Sequence, residues 1–250
     1  MADLVTLIES IDSSVFQVES QTSDDDRRSL LRLQNIVRNG DRPYIYLEVG
    51  SHLGGTLFPH LIDSSCGTAI SIDPRPTCQP DQRGRSFDYA GNSTSRMIGT
   101  LGKFASHGQM AKLRTYDIDA SQIATIDDAI RASLVLIDAE HTNRAAFRDF
   151  LCIIPHTEQD AIVSFHDSNL IFDALMNIET FLRYSGRRFS AFYLPDNVYA
   201  VAFGGLADVA EYRLRRYAFD AEAFITNATI SLNREIALHD THRGAIPAVV

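Results

Sequence analysis

Five short strand-like runs, each closed by an acid, constrain this chain more than any other feature. They span residues 44–49, 68–72, 112–116, 134–137 and 160–165, and they end at Glu48, Asp73, Asp117, Asp138 and the pair His166-Asp167. The run at 44–49 is rich in β-formers and lacks polar alternation, as expected of a central strand covered on both faces. Helical patterns separate the five runs, so the expected fold is α/β with a largely parallel sheet. In such sheets ligands bind beyond the carboxyl ends of the strands. Crowded carboxylates are costly without a counter-charge. Five acids at five neighbouring strand ends therefore point to a shared ligand with hydroxyls and a positive centre, or to a metal ion.

The first run leads straight into a glycine turn, YIYLEVGSHLGG, over residues 44–55. Gly50, Gly54 and Gly55 permit a sharp turn and let a ligand approach the backbone without Cβ interference. A helix should follow over 56–62, shortened by Pro59. Asp73 comes about 25 residues after Glu48, near the spacing expected between a glycine turn and a ribose-binding acid.

The 250 residues suffice for one large α/β domain with appended pieces, and 45% hydrophobic content supports a substantial core. A net charge of −9 argues against nucleic acid as a partner, since phosphate binding needs a basic face. Cys66, Cys78 and Cys152 are odd in number and lack CxxC spacing, as in a reduced intracellular protein. Acidic residues near the start and the lack of a long apolar run argue against a signal peptide and a membrane span. A cytoplasmic location is the expectation, and the composition leaves room for a homo-oligomer.

Residues 1–40 read as a peripheral helical segment. Leu4, Leu7, Ile8, Ile11 and Val15 recur at helical spacing, and Asp24, Asp25 and Asp26 cap a second helix that stops at Asn39-Gly40. Residues 74–90 form a long loop over the site, with Arg75, Arg83, Arg85 and Tyr89 exposed on it. Asn92-Ser93-Thr94 caps a helix, and Asp127 and Asp128 open a short one. Helices follow over 142–151 and 170–184, a β-hairpin turns at Pro195-Asp196-Asn197, and residues 206–219 are helical again. The remainder reads as a weakly patterned tail.

The segments LEVGSHLGG, SIDPR, TYDID, LVLIDAEHT and IVSFHD, with the closing hairpin FSAFYLPDNVYAVAF, resemble the class I S-adenosylmethionine-dependent methyltransferases. IDAEH followed by FHD is similar, more narrowly, to the metal-dependent sugar O-methyltransferases of macrolide biosynthesis and to cephalosporin hydroxylase-like proteins. The resemblance spans residues 41–205, between a helical N-terminal segment at 1–40 and a helical C-terminal extension and tail at 206–250. It implies a Rossmann-like, doubly wound, mostly parallel seven-stranded sheet whose last strand is antiparallel. It also implies methyl transfer from S-adenosylmethionine to a small hydroxylated molecule.

Carried over by residue, the resemblance places Glu48, Gly50, Ser51 and Gly54 at the methionine end of the cofactor. Asp73 would hold the ribose, and Asp117 would lie near the adenine, with Asn92 and Ser93 on the same side. Asp138 would also border the cofactor. Asp138 and Asp167 match metal ligands, and His141 matches the catalytic base. His166 stands where the nearest relatives carry an acid; as a ligand it would favour Mn²⁺, Fe²⁺ or Zn²⁺ over Mg²⁺. His52 replaces the usual middle glycine of the turn. A nicotinamide-dependent oxidoreductase is the second reading, weakened because the turn is not GxGxxG. A cofactor-binding protein without catalytic activity is the third.

Overall fold

The computed structural model describes residues 3–40, 42–75, 77–126 and 130–244, with side chains through residue 239. Asp127 and Asp128, expected to open a short helix, lie outside the described residues. Nine strands and nine α-helices alternate among those that are described. The order runs α1 (Leu4–Glu9), α2 (Asp24–Val37), β1 (Tyr44–Val49), α3 (Phe58–Ile62), β2 (Cys66–Ile72), β3 (Cys78–Pro80), β4 (Ser86–Asp88) and α4 (Thr94–Leu101). It continues with α5 (His107–Met110), β5 (Leu113–Tyr116), β6 (Ala132–Ile137), α6 (Asn143–Ile153), β7 (Thr157–Phe165) and α7 (Phe172–Tyr184). β8 (Phe189–Tyr193), β9 (Tyr199–Phe203), α8 (Gly205–Leu214) and α9 (Ala221–Gly244) complete it.

Seven strands form one sheet in the order β5-β2-β1-β6-β7-β9-β8. All neighbouring pairs from β5 to β7 are parallel, and β9 is antiparallel to both β7 and β8. This is the doubly wound sheet with an antiparallel last strand that the sequence led us to expect. The chain builds outward from β1 to β5, then crosses back to lay β6 on the other side of β1. The topological switch point, where open α/β sheets bind ligands, thus lies between the ends of β1 and β6.

Side-chain parity divides the core into two layers. Tyr44, Tyr46, Ala69, Leu134, Leu136 and Ile162 face α2, α3, α4 and α8. Leu47, Val49, Ile70, Val135, Ile137 and Val163 face α6, α7 and α9. Burying each Leu or Val fully contributes roughly 1.5–3 kcal/mol, so the continuous apolar runs of β1 and β6 anchor the sheet centre. Parity also sends Glu48, Asp73, Asp138 and His166 to the α2 side, because they continue the 44-46, 69-71, 134-136 and 162-164 alternations. Strand ends that look merely adjacent in sequence therefore converge on one face.

Three expectations need correction. The first is the peripheral N-terminal segment: Ile8, Val15, Leu31 and Leu33 are fully buried, and α2 packs directly on β6 and β7. Ser23 is the N-cap of α2, with Asp26 closing the capping box. Secondly, residues 74–90 are not plain loop, because β3 and β4 pair as a small antiparallel hairpin. Thirdly, the weakly patterned tail is the 24-residue helix α9. Phe224, Ala228, Leu232 and Ile236 recur every fourth residue and pack on the α7 side of the core. Ile230 and Leu238 stand exposed outside that stripe and blur it in the sequence. No helix among the described residues is long and apolar enough to cross a membrane.

Candidate active site

A cleft opens at the switch point. Its floor is the turn after β1, with Gly50, Ser51, His52, Leu53, Gly55 and Thr56. Gly50 adopts φ 90°, and a Cβ there would lie 2.0 Å from the carbonyl oxygen of Asp138. Only glycine lets β1 and β6 end this close together. The backbone bond from Asp138 N–H to Val49 O (2.8 Å) fixes this approach, and Gly50 N–H ties the turn to Ile72 O of β2 (2.8 Å).

Asp73 closes one side. Its Oδ2 accepts the backbone N–H of His52 (2.9 Å) and the side-chain amide of Asn92 (3.1 Å), and the buried Arg75 guanidinium pairs with it at 3.3 Å. Its Oδ1 is buried without a partner among the described residues, as are Asn92 Oδ1 and Ser51 Oγ. Three buried acceptors left open around a glycine turn are anomalous for a plain loop, since buried polar atoms are normally hydrogen-bonded.

His52, unassigned by sequence reasoning, sits at φ 45° and lines the cleft with its ring edge on Tyr89, 5.4 Å between centroids. Burial, reinforced by Arg96 and Arg75, lowers its pKa, so the ring is neutral at neutral pH. A non-glycine residue at positive φ is strained, and such strain collects at functional sites.

The opposite side is a charged cluster. His141 Nε2 lies 3.2 Å from Asp138 Oδ1, and its Nδ1 lies 3.1 Å from Asp167 Oδ2. Ligand atoms of Asp138, His141 and Asp167 all fall within 4.8 Å of one another. Asp167 reaches the cluster because its backbone turns at φ 50°. Burial alone would raise the Asp138 pKa, but His166 and His141 outweigh it and hold the carboxyl well below its usual range. Burial likewise opposes the charged form of His141, and Asp138 and Asp167 overcome it to raise the imidazole. Two carboxylates and an imidazole can hold a divalent cation, and a nitrogen in the set suits Mn²⁺, Fe²⁺ or Zn²⁺.

His166, expected as a metal ligand, is not one of these three, although its Nδ1 lies 3.5 Å from Asp167 Oδ2. Its Nδ1 faces Asp138 Oδ1 at 3.2 Å and its Nε2 faces Asp26 Oδ2 at 3.1 Å. Its second nitrogen is thereby committed to α2; burial opposes its charged form, and Asp138 and Asp26 overcome it to raise the imidazole.

Of the other expected residues, Gly50, Ser51, Asp73, Asn92 and Asp138 line the cleft. Glu48 does not: it is buried beneath it, accepting Tyr46 Oη–H (2.7 Å) and Thr56 Oγ1–H (2.6 Å). Burial pushes its pKa up to about 8 against the effect of those two bonds. Gly54, at φ 83°, backs onto Leu101. Ser93 is the N-cap of α4, and Asp117 is exposed at the sheet edge, accepting Thr94 Oγ1–H. Residues 19–22, Gln79 and Tyr89 also line the cleft. The sequence singled out Tyr89 only as a loop residue, and nothing in its local pattern singled out 19–22 or Gln79.

Residues 47–168 match the family described as Methyltransferase domain (Methyltransf_24). No curated protein matches the sequence. Among solved structures, the cofactor-bound Rv0187 from MTB is similar at a TM-score of 0.52 and 10% identity, covering 81% of this chain and 90% of that one. The O-methyltransferase TomG from Streptomyces achromogenes, involved in tomaymycin synthesis and solved in complex with SAM, has a TM-score of 0.52 and 9% identity, with coverage of 81% and 90%. At such identities the likeness is one of fold. Residues 47–168 thus match a methyltransferase-domain model, and the chain has the Rossmann-like fold of these methyltransferase structures.

Proposed function

We propose that the chain is an O-methyltransferase that uses S-adenosylmethionine and acts on a small hydroxylated molecule, assisted by a divalent cation. The observation that carries this reading is the set of open buried acceptors, Asp73 Oδ1, Asn92 Oδ1 and Ser51 Oγ, in the same cleft as Asp138 and His141. Asp73 and Asn92 would accept hydroxyls of the cofactor's ribose, and Gly50 and Ser51 would border its amino-acid end. When bound, the cofactor supplies an electrophilic methyl group, and the cation lowers the pKa of an oxygen it holds. Asp138 and Asp167 would hold that cation, and His141 would take the proton from the acceptor hydroxyl. The nicotinamide reading finds less support, because His52 and Gly54 break the spacing of a dinucleotide turn and the matched domain is a methyltransferase.

Calorimetric titration with S-adenosylhomocysteine tests the cofactor. One site per chain is expected, and Asp73→Ala should weaken it by at least about tenfold, or 1.4 kcal/mol. Binding of NAD without S-adenosylhomocysteine would refute it. Mn²⁺ titration followed by electron paramagnetic resonance tests the cation separately. Asp167→Asn should release the ion, and no binding by the wild type would remove the metal from the mechanism while leaving the cofactor reading intact.

A further inference from the structure

The methyltransferase-domain match begins at residue 47, yet one wall of the cleft comes from before it. Glu19, Ser20, Gln21 and Thr22 run along the glycine turn and line the cleft. They lie so close that a Cβ on Gly55 would come 2.4 Å from Ser20 Cβ and 2.5 Å from Glu19 O. Tyr89 Oη–H donates to Gln21 Oε1 (3.2 Å), and Arg27 donates to Ser20 Oγ (3.2 Å) and Thr22 Oγ1 (3.3 Å). This strap leads into α2, where Asp26 is 2% exposed. Asp26 Oδ1 accepts the backbone N–H of Asn197 (2.9 Å), and Oδ2 accepts that of Ser23 (2.9 Å) and faces His166 Nε2 (3.1 Å). The other nitrogen of His166 faces Asp138 Oδ1.

We infer that residues 19–26 complete the ligand site and that Asp26 is its positioning residue, fixing Asp138 through His166 and seating the strap on the glycine turn. A helix cap alone does not account for this placement. The cap needs Ser23 and one carboxylate oxygen, whereas Asp26 also reaches the β7 end and the β8–β9 turn. Its carboxylate meets three N–H donors from three parts of the chain. An asparagine there must turn its amide N–H₂ toward one of those donors, so the isosteric change breaks the junction without changing volume.

The ligand arm of the test rests on the proposed cofactor; the exchange arm does not. Asp26→Asn, Ser23→Ala, His166→Asn and the Asp26→Asn/His166→Asn double variant are compared with the wild type. S-adenosylhomocysteine affinity is measured by calorimetry, amide hydrogen exchange by mass spectrometry, and stability by thermal melting. Asp26→Asn should weaken binding by about tenfold, the lower end of the loss when an outer partner is removed from a ligand site. It should also speed exchange across 19–22. Ser23→Ala, which removes the cap but spares the Asp26–His166 contact, should lower the melting temperature without either effect. The double variant should bind no worse than His166→Asn alone, because Asp26 acts through that ring. Unchanged binding in Asp26→Asn, the same loss in Ser23→Ala, or additive losses in the double variant would overturn the inference. If the wild type binds no S-adenosylhomocysteine, the cofactor proposal fails, and unchanged exchange over 19–22 in Asp26→Asn would separately overturn this one.

Discussion

Glu48 offers the sharpest physical test of the region beneath the cleft. The buried carboxyl has a pKa raised from 4.5 to about 8, burial outweighing the bonds from Thr56 and Tyr46 while the charge of Asp138 adds to the rise. The folded protein therefore holds a proton on Glu48 that the unfolded chain has lost, and stability falls as pH rises through this window. The stabilisation is fully present below pH 4.5 and is lost as pH passes 8. Across the whole window the loss is about 5 kcal/mol, from 3.5 pH units at about 1.4 kcal/mol each, and between pH 5 and 7 it is roughly 2.5 kcal/mol. Glu48→Gln mimics the protonated form, since its amide can accept one hydroxyl and donate to the other. Urea unfolding of both proteins from pH 5 to pH 7 isolates the effect, because every other titrating group cancels in the difference. The variant should gain about 2.5 kcal/mol on the wild type over that interval, which for a chain of this size is roughly 5–10 °C in melting temperature. Parallel stability curves would show that Glu48 is ionised in its buried position and would refute the reasoning.

Two further substitutions probe the glycine turn. Gly50→Ala places a Cβ 2.0 Å from the Asp138 carbonyl at φ 90°, and should destabilise the fold by roughly 3 kcal/mol or more and abolish S-adenosylhomocysteine binding; a melt and calorimetry check both. Gly55→Ala lacks the φ penalty but drives its methyl into Ser20 and Glu19, so it should displace the strap, read as faster exchange over 19–22, at about 1–3 kcal/mol in stability.

Much of the fold was legible because hydrophobic period and punctuation agree locally. The runs at β1, β2 and β6 and the second half of β7 are largely apolar, their separators carry caps, and Pro195-Asp196-Asn197 marks a hairpin; each signal lies within about ten residues. α9 was missed because its outward Ile230 and Leu238 mask the four-residue stripe. The β3–β4 hairpin was missed because strands of three residues carry almost no period.

For the site, the sequence by itself determined which strands end in acids and where a glycine turn must lie. Parity then sends Glu48, Asp73, Asp138 and His166 to one face of the sheet. Only the tertiary structure decided which of these reach the cleft. Glu48 is covered because Tyr46 and Thr56 fold over it, and Asp117 stays outside because β5 is the sheet edge. His166 is tied to the N-terminal segment because α2, 140 residues away in sequence, brings Asp26 to its second nitrogen. The physical reason is the same in each case. A strand's alternation is set by neighbouring residues, whereas the partner that sets a side chain's charge and access comes from distant chain packed against it.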